Sequence, residues 1–344
     1  MNLDGKTLWQ VGAGDTERAY PGLCLRYDVM IAGPGHEGPY LDGKYAHYGD
    51  IENSLRRMCL DAQRGDVVLL RLGTSQVHAI GIIEDDSSDW SEAFGDVDGW
   101  RLQHLRRVRW LTGSARTFPT KTFGTMGRTF AAVHKPELRQ WVESIEVTPS
   151  DKQRKLAELP VDGGSLDEDE LGRRLFVEGL SSDRVDHLVG RLASLRRVAQ
   201  WYSNPEKKPE GRPSEHETVA FLVLPMLFAL GWSEQTAAVE WKSVDIALFD
   251  RMPSADRTLA CVVEAKYLDR SVFSPAGQAA AYALKPGREN CKRLIVTDGI
   301  RYAVHEREEG AFRLLAYLNL LRLRESYPVL DCGGAVQAIL AMAH

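Results

Sequence analysis

A chain of 344 residues, 44% hydrophobic and 26% charged, is long enough for two domains and a connector and has the balance of an ordinary globular protein. Its formal charge of -5 excludes the broad basic excess of a non-specific nucleic-acid binder, and leaves room for a shaped pocket with local arginines on phosphates. The five cysteines, Cys24, Cys59, Cys261, Cys291 and Cys332, form no C-x-x-C pair and no zinc-ligand spacing, so they read as free thiols in a reducing cytoplasm. No basic segment leads into an apolar one at the N-terminus, and the longest apolar run, Phe221 to Trp232, is too short to span a bilayer and contains Pro225. No membrane partner is expected.

Residues 1–148 are expected to form a compact β-rich domain. Leu8-Trp-Gln-Val11 and Tyr27-Asp-Val-Met-Ile31 read as strands separated by turn-forming Gly and Pro residues. A helix is predicted from Ile51 to Arg64, with Leu55, Met58, Cys59 and Ala62 on one side. Gly65 to Gly73 and Val77 to Ile83 are β-rich runs joined by a short Thr-Ser-Gln turn, and Arg106 to Leu111 is a further strand. Gly-Asp-Val-Val-Leu, then Leu-Gly-Thr-Ser-x-Val-x-Ala-Ile-Gly, then Leu-Arg-Arg-Val-x-Trp resembles the PUA-like β-barrels, especially the EVE group, over most of this stretch. The resemblance implies a pocket that holds a modified or flipped-out base between aromatic side chains. A base drawn out of its stack loses stacking and pairing energy that new stacking must offset. Trp9, Tyr45, Tyr48, Trp90 and Trp100 are the candidate walls, with Thr74 and Ser75 able to bond a base edge. The competing reading of each tryptophan is a core side chain. Arg101, Arg106, Arg107 and Arg109 are either a grip on phosphates or a solvated strand face.

Residues 149–205 read as a helical connector. Ser165-Leu-Asp-Glu-Asp-Glu170 has a cap residue and the acids of a helix start, and Ser182 to Tyr202 places Val185, Leu188, Val189, Leu192, Leu195, Val198 and Trp201 at helical intervals. Asn204 to Pro213, with three prolines and a glycine, is the expected hinge. The last domain, 206–344, opens with a helix over Ser214 to Leu230, stopped by Gly231. Ser214 and Glu217 fit a capping box, which explains Glu217 structurally. Glu215 has no such role, lies four residues before the core-facing Val219, and is a candidate metal-side carboxylate.

Two strand-like runs carry the remaining acids. Asp245 interrupts the apolar Val244-Asp-Ile-Ala-Leu-Phe249, and Leu259-Ala-Cys-Val-Val-Glu-Ala-Lys266 ends with Glu264 and Lys266 on one face by the period of two. An acid and a base at the end of a buried strand must pair with each other, with a cation or with a substrate. If the two strands are neighbours, Asp245 and Glu264 converge on an oxygen-lined site for Mg²⁺ or Mn²⁺. Lys266 then orients and deprotonates the attacking water or neutralises charge on phosphate oxygens. Gln278 and Tyr282, four apart, share one helix face. Cys291 to Thr297 and Arg301 to Glu306 read as strands joined through Asp298-Gly299, Phe312 to Leu320 as a strand or a strand running into a helix, and Gly333 to His344 as an apolar tail that closes the domain or makes a dimer contact.

Ser-Glu215, Pro225, Leu-Gly-Trp232, Val-Asp245, Val-Val-Glu-Ala-Lys266, Gln278-x-x-x-Tyr282 and Ile-Val-Thr-Asp-Gly299 together resemble the PD-(D/E)XK nuclease core, in the version that begins the motor subunits of type I restriction enzymes. The likeness covers about the last 140 residues, with Val-Asp in place of the family's Pro-Asp. It implies that Asp245 and Glu264 hold the metal, that Lys266 assists the attack, that Glu215 opens the first helix, and that Gln278 and Tyr282 face the site. The chain as a whole is therefore expected to have two domains of α+β and α/β type: a PUA-like barrel, a helical connector and a restriction-endonuclease-like α/β core. The expected activity is metal-dependent cleavage of DNA bearing a feature, such as a modified base, that the first domain reads. Cutting both strands needs two active sites, so a homodimer is expected. The alternatives are an RNA substrate, a binding protein whose nuclease fold is structural, and a nuclease switched on by a nucleotide bound in the barrel.

Overall fold

The structure is a computed structural model, described here for residues 1–111, 113–123, 129–202 and 213–344. The chain is mixed α and β and separates into two compact units, Met1–Asp162 and Gly163–His344, each built on its own sheet. The expected hinge, 204–213, lies outside the described residues except for Pro213.

In the first unit eight strands form a sheet that curls into a half-barrel. They are β1 (Leu8–Gly12), β2 (Val29–Ala32), β3 (Val67–Leu72), β4 (Gln76–Ile83), β5 (Asp89–Trp90), β6 (His104–Trp110), β7 (Arg116–Thr117) and β8 (Phe130–Ala132). The spatial order is β2-β6-β4-β3-β1-β8, with β5 on β6 and β7 on β4; β1 and β3 are parallel. Four helices follow in chain order: α1 (Pro21–Tyr27), α2 (Asp50–Arg56), α3 (Pro136–Glu143) and α4 (Pro149–Gln153). Tyr27, expected to start a strand, instead ends α1. Asp28 takes a left-handed conformation (φ 52°), turning the chain so that β2 begins at Val29. The helix expected over 51–64 is α2 followed by one π-type turn, Arg57–Asp61.

The stretch 149–205 is divided between the units. Arg154 donates two hydrogen bonds of 2.7 Å to the buried Asp28 carboxylate, and Ala157 N donates a third, so the chain after α4 is tied into the first unit. α5 (Glu168–Val177) and α6 (Ser182–Tyr202) bury Leu171, Leu175, Leu188, Leu192 and Leu195 in the main core of the second. These leucines have no other apolar surface on which to leave water, which is why the helices pack rather than bridge. The cap of α5 is Asp167, whose side chain accepts from Glu170 N; Ser165 bridges to Arg324 instead.

The second sheet runs β15-β16-β14-β13-β12-β11-β10-β9. Its strands are β9 (Ala237–Trp241), β10 (Val244–Phe249), β11 (Leu259–Ala265), β12 (Arg293–Thr297), β13 (Arg301–Glu308), β14 (Ala311–Asn319), β15 (Ser326–Tyr327) and β16 (Cys332–Gly333). One face carries α5, α6, α7 (Glu215–Thr218), α8 (Leu224–Ala229) and α10 (Ala335–Met342). On the other face lies α9 (Ala276–Ala283), the crossover between the parallel strands β11 and β12. The apolar tail is α10, with Ala335, Ala338, Ile339 and Met342 in the core, so it closes the unit. α7 and α8 are one helical stretch interrupted by a π-type segment, Val219–Val223. Pro225 has no N–H for the carbonyl of Phe221, and the ladder widens just before it.

Among the described residues no helix is long and apolar enough to cross a membrane, and all five cysteines are free.

Candidate active site

The register Ile246↔Val263 makes β10 and β11 antiparallel neighbours and sets Asp245 across from Glu264, as the sequence required for the acids to converge. Alternation along β11 turns Cys261, Val263 and Ala265 toward the α6–α8 layer, and Val262 and Glu264 toward α9. Asp245 Oδ2 accepts from Ala265 N at 2.8 Å, which locks the strand ends together. Glu264, 4% exposed, accepts from Lys266 Nζ at 2.7 Å. Glu215, at the first position of α7, brings Oε1 to 3.6 Å from the same ammonium.

The capping box on α7 sets where Glu215 stands. Ser214 Oγ accepts from Glu217 N, and Glu217 Oε2 accepts from Ser214 N. Glu217 is thereby used up as a cap, and Glu215 is free to turn to Lys266. α7 in turn leans on the turn after β12. Gly299 has φ +87°, and a Cβ there would lie 2.8 Å from the Leu222 side chain and 3.0 Å from Thr218, so only glycine lets the turn approach.

Two carboxylates, Glu264 and Glu215, thus flank the Lys266 ammonium, and the charge of Asp245 acts on it from farther off. Burial pushes the Glu264 carboxyl up; the Lys266 hydrogen bond opposes this, and the negative charge of Asp245 and Glu215 adds to it. For Lys266 burial works downward, but its bond to Glu264 and the charges of Glu264, Glu215 and Asp245 outweigh it, and the ammonium is held above its usual range.

The segment after Lys266 is held by the β12–β13 turn. Lys266 N donates to Thr297 O at 2.8 Å, Asp269 N donates to Asp298 Oδ2 at 2.9 Å, and Arg301 Nη2 donates to Arg270 O at 2.7 Å. Asp298 and Arg301 are themselves a buried ion pair at 2.6 Å. In the sequence Asp298-Gly299 reads as a hairpin turn that ends the nuclease-like set, and the opposite charges of Asp298 and Arg301, three apart across that glycine, are the signal for the brace.

Gln278 and Tyr282 do share a face of α9, with Nε2 of Gln278 3.5 Å from the Tyr282 hydroxyl. Among the described residues Gln278 makes no hydrogen bond to the four clustered charges. Nor do three or more His, Cys, Asp and Glu side chains form a ready-made metal cage among the described residues. The Lys266 ammonium bridges Glu264 and Glu215, so in this arrangement the cationic place beside them is taken by the lysine.

The recognition candidates of the first unit differ in burial and in what they bind. Trp9 is core: it stacks on Phe130 at 4.8 Å and donates its indole N–H to Asp66. Tyr45 is also buried, with its hydroxyl on Gly38 O and its ring beside Tyr40, Tyr48 and His104. Tyr48 is half-buried and bonded to His36, and Trp90 donates to Gly35 O. These three therefore border the same loop, residues 33–49. Trp100 lies under Arg18 and edge-on to Tyr20. Thr74 and Ser75 are in the turn between β3 and β4, where the Thr74 hydroxyl accepts from Lys121 N.

Arg106 cannot grip a phosphate. It is fully buried, pairs with Asp85 at 2.6 Å and donates to the carbonyls of Met58, Ala62 and Asp85. Arg107 reaches Ala157 O, and Arg109 pairs with Glu84. The alternation of β6 placed these arginines against the acids and carbonyls of neighbouring elements, and only Arg101 of the group is exposed. No protein family, curated protein or solved structure matches this chain.

Proposed function

We propose that the chain is a metal-dependent DNA endonuclease in which the second unit hydrolyses phosphodiester bonds after the first, a PUA-like domain in this reading, has read a base, and that it acts as a modification-dependent restriction enzyme against phage. The observation that carries the reading is the meeting of acids at the end of β11, where Lys266 bridges Glu264 and Glu215 and Asp245 is bound to the adjoining Ala265 N. Three carboxylates against one ammonium leave an excess of negative charge, and hard oxygen donors suit Mg²⁺ or Mn²⁺. Asp245 and Glu264 would hold the ion, with Glu215 beside them. When bound, it polarises the phosphate and acidifies a water.

The remaining chemistry belongs to the chain. Lys266, beside Glu264 and Glu215, either orients and deprotonates the attacking water or serves as a cationic donor to the phosphate oxygens. Asp245 fixes the strand end through Ala265 N, and the Asp298–Arg301 brace fixes the backbone that follows Lys266. Two copies of the chain would supply the two sites needed to cut both strands.

The test incubates the protein and its Lys266→Ala variant, with Mg²⁺ or Mn²⁺, on matched phage DNAs carrying plain or methylated or hydroxymethylated cytosine. Cutting of the modified DNA alone is expected. The variant should lose about a hundredfold or more in rate, the cost of removing one preorganised donor. Cleavage of RNA but of neither DNA would move the assignment to an RNA nuclease, and cleavage undiminished by Lys266→Ala would remove the site.

A further inference from the structure

Within the second unit, α6 and the π-type segment leading into α8 enclose an open groove of about 560 Å³ that the candidate active site does not use. α6 carries two stripes. Leu188, Leu192, Leu195 and Ala199 face the core, and along its flank Arg191, Ser194, Val198 and Trp201 recur at spacings of three and four. The ten residue-to-residue rises from Arg191 to Trp201 give this flank a length of about 15 Å, roughly three helical turns. Phe221 and Pro225, four apart, form the opposite wall. Trp201 is 43% exposed and Phe221 55%, although both are large apolar rings on a helix that has a core to join. Such paired exposed rings in a concave, otherwise apolar setting mark an interaction surface rather than a scattered surface residue.

The charges select the occupant. Arg191 and Arg197 border the groove, and among the described residues no carboxylate lines it and neither guanidinium has an ion-pair partner. Arg196, between them in sequence, turns away to Glu168 and the carbonyl of Leu320. A second copy docking this same face by two-fold symmetry would bring four guanidinium groups together. A nucleic-acid strand asks for a polar, strongly basic surface, whereas these walls are Leu195, Val198, Trp201, Phe221 and Pro225 with two cations. An apolar floor with aromatic anchors and an arginine rim is the arrangement that receives an amphipathic helix.

We propose that this groove docks an acidic amphipathic helix of a partner protein, its apolar residues at i, i+3, i+4 and i+7 on Trp201 and Phe221, and its carboxylates on Arg191 and Arg197. The proposal does not depend on the nuclease reading.

The experiment uses the full chain and fluorescence anisotropy of a labelled synthetic helix with leucines at those positions and glutamates elsewhere, beside a twin with lysines for glutamates. The glutamate peptide is expected to bind about tenfold or more tightly than its twin. Phe221→Ser should weaken it by about tenfold with an unchanged thermal unfolding curve, because the ring is already half in water. The double variant Arg191→Glu, Arg197→Glu should reverse the preference between the peptides. Absent binding of the glutamate peptide, or binding that ignores these substitutions, overturns the proposal. So does a short single-stranded oligonucleotide bound in a Phe221-dependent way, or a dimer in sedimentation that Phe221→Ser dissolves.

Discussion

Arg106 in the first unit and Lys266 in the second are both basic side chains on or just past a strand, both drawn out of water and both paired with acids, yet they have opposite meanings. Arg106 is fully buried, and Asp85 and three backbone carbonyls meet its donors. Its account closes within the fold. Lys266 faces Glu264 and Glu215, with Asp245 adding to the negative field, and one ammonium cannot balance three carboxylates. A buried charge points to function when its neighbours leave it unbalanced, and to architecture when they do not.

The largest effect that would test this contrast is on Arg106. Arg106→Ala leaves Asp85 without its guanidinium and three carbonyls without their donor, and should destabilise the first unit by about 3–5 kcal/mol, read from urea unfolding. A loss under about 1 kcal/mol would show that the pair is not structural.

The next concerns His104, which is 1% exposed and whose Nε2 has no hydrogen-bond partner among the described residues. Burial pushes its imidazole down to about 4 from 6.5, so the unfolded chain takes up the proton more readily than the folded one. The stability tied to this group is complete above about pH 6.5 and is lost as the pH falls toward about 4, up to about 3 kcal/mol in all. His104→Gln should flatten that acid limb in denaturation curves run near neutrality and near pH 4. An unchanged limb would place the acid sensitivity in other groups.

The smallest effect has the opposite sign. Asp245→Asn removes one of three clustered charges while its side-chain oxygen can still accept from Ala265 N. In metal-free buffer it should stabilise the second unit by about 1 kcal/mol, because it relieves like-charge repulsion at a site built for chemistry. A loss of stability would mean that the cluster is as balanced as that of Arg106.

Much of this was legible beforehand because it is local. Short β-rich and apolar runs marked β3, β4, β10 and β11, the helical spacing of leucines marked α6, and Ser214 with Glu217 marked the start of α7. What misled were signals whose outcome depends on a partner far along the chain. The aromatic and arginine types of Trp9, Tyr45 and Arg106 suit a base pocket as well as a core. Only Phe130, Gly38 and Asp85, distant in sequence, decided for the interior. Likewise the leucines of α5 and α6 announced helices but not the core they would join.

By itself, then, the sequence determined the strands around β3, β4, β6 and β10 to β13 and the helices over α2, α6 and α7 to α8, and that Asp245, Glu264, Lys266 and Glu215 are polar residues out of place in apolar elements. Those are properties of spacing and side-chain chemistry along a few turns of chain. Only the tertiary structure decided that β10 pairs with β11 in the register that sets the two acids face to face, that α7 brings Glu215 to the same ammonium, and that the arginines of β6 are consumed within their own unit. Strand partners and registers are chosen by contacts between residues far apart in the chain, and no periodicity within one segment carries them.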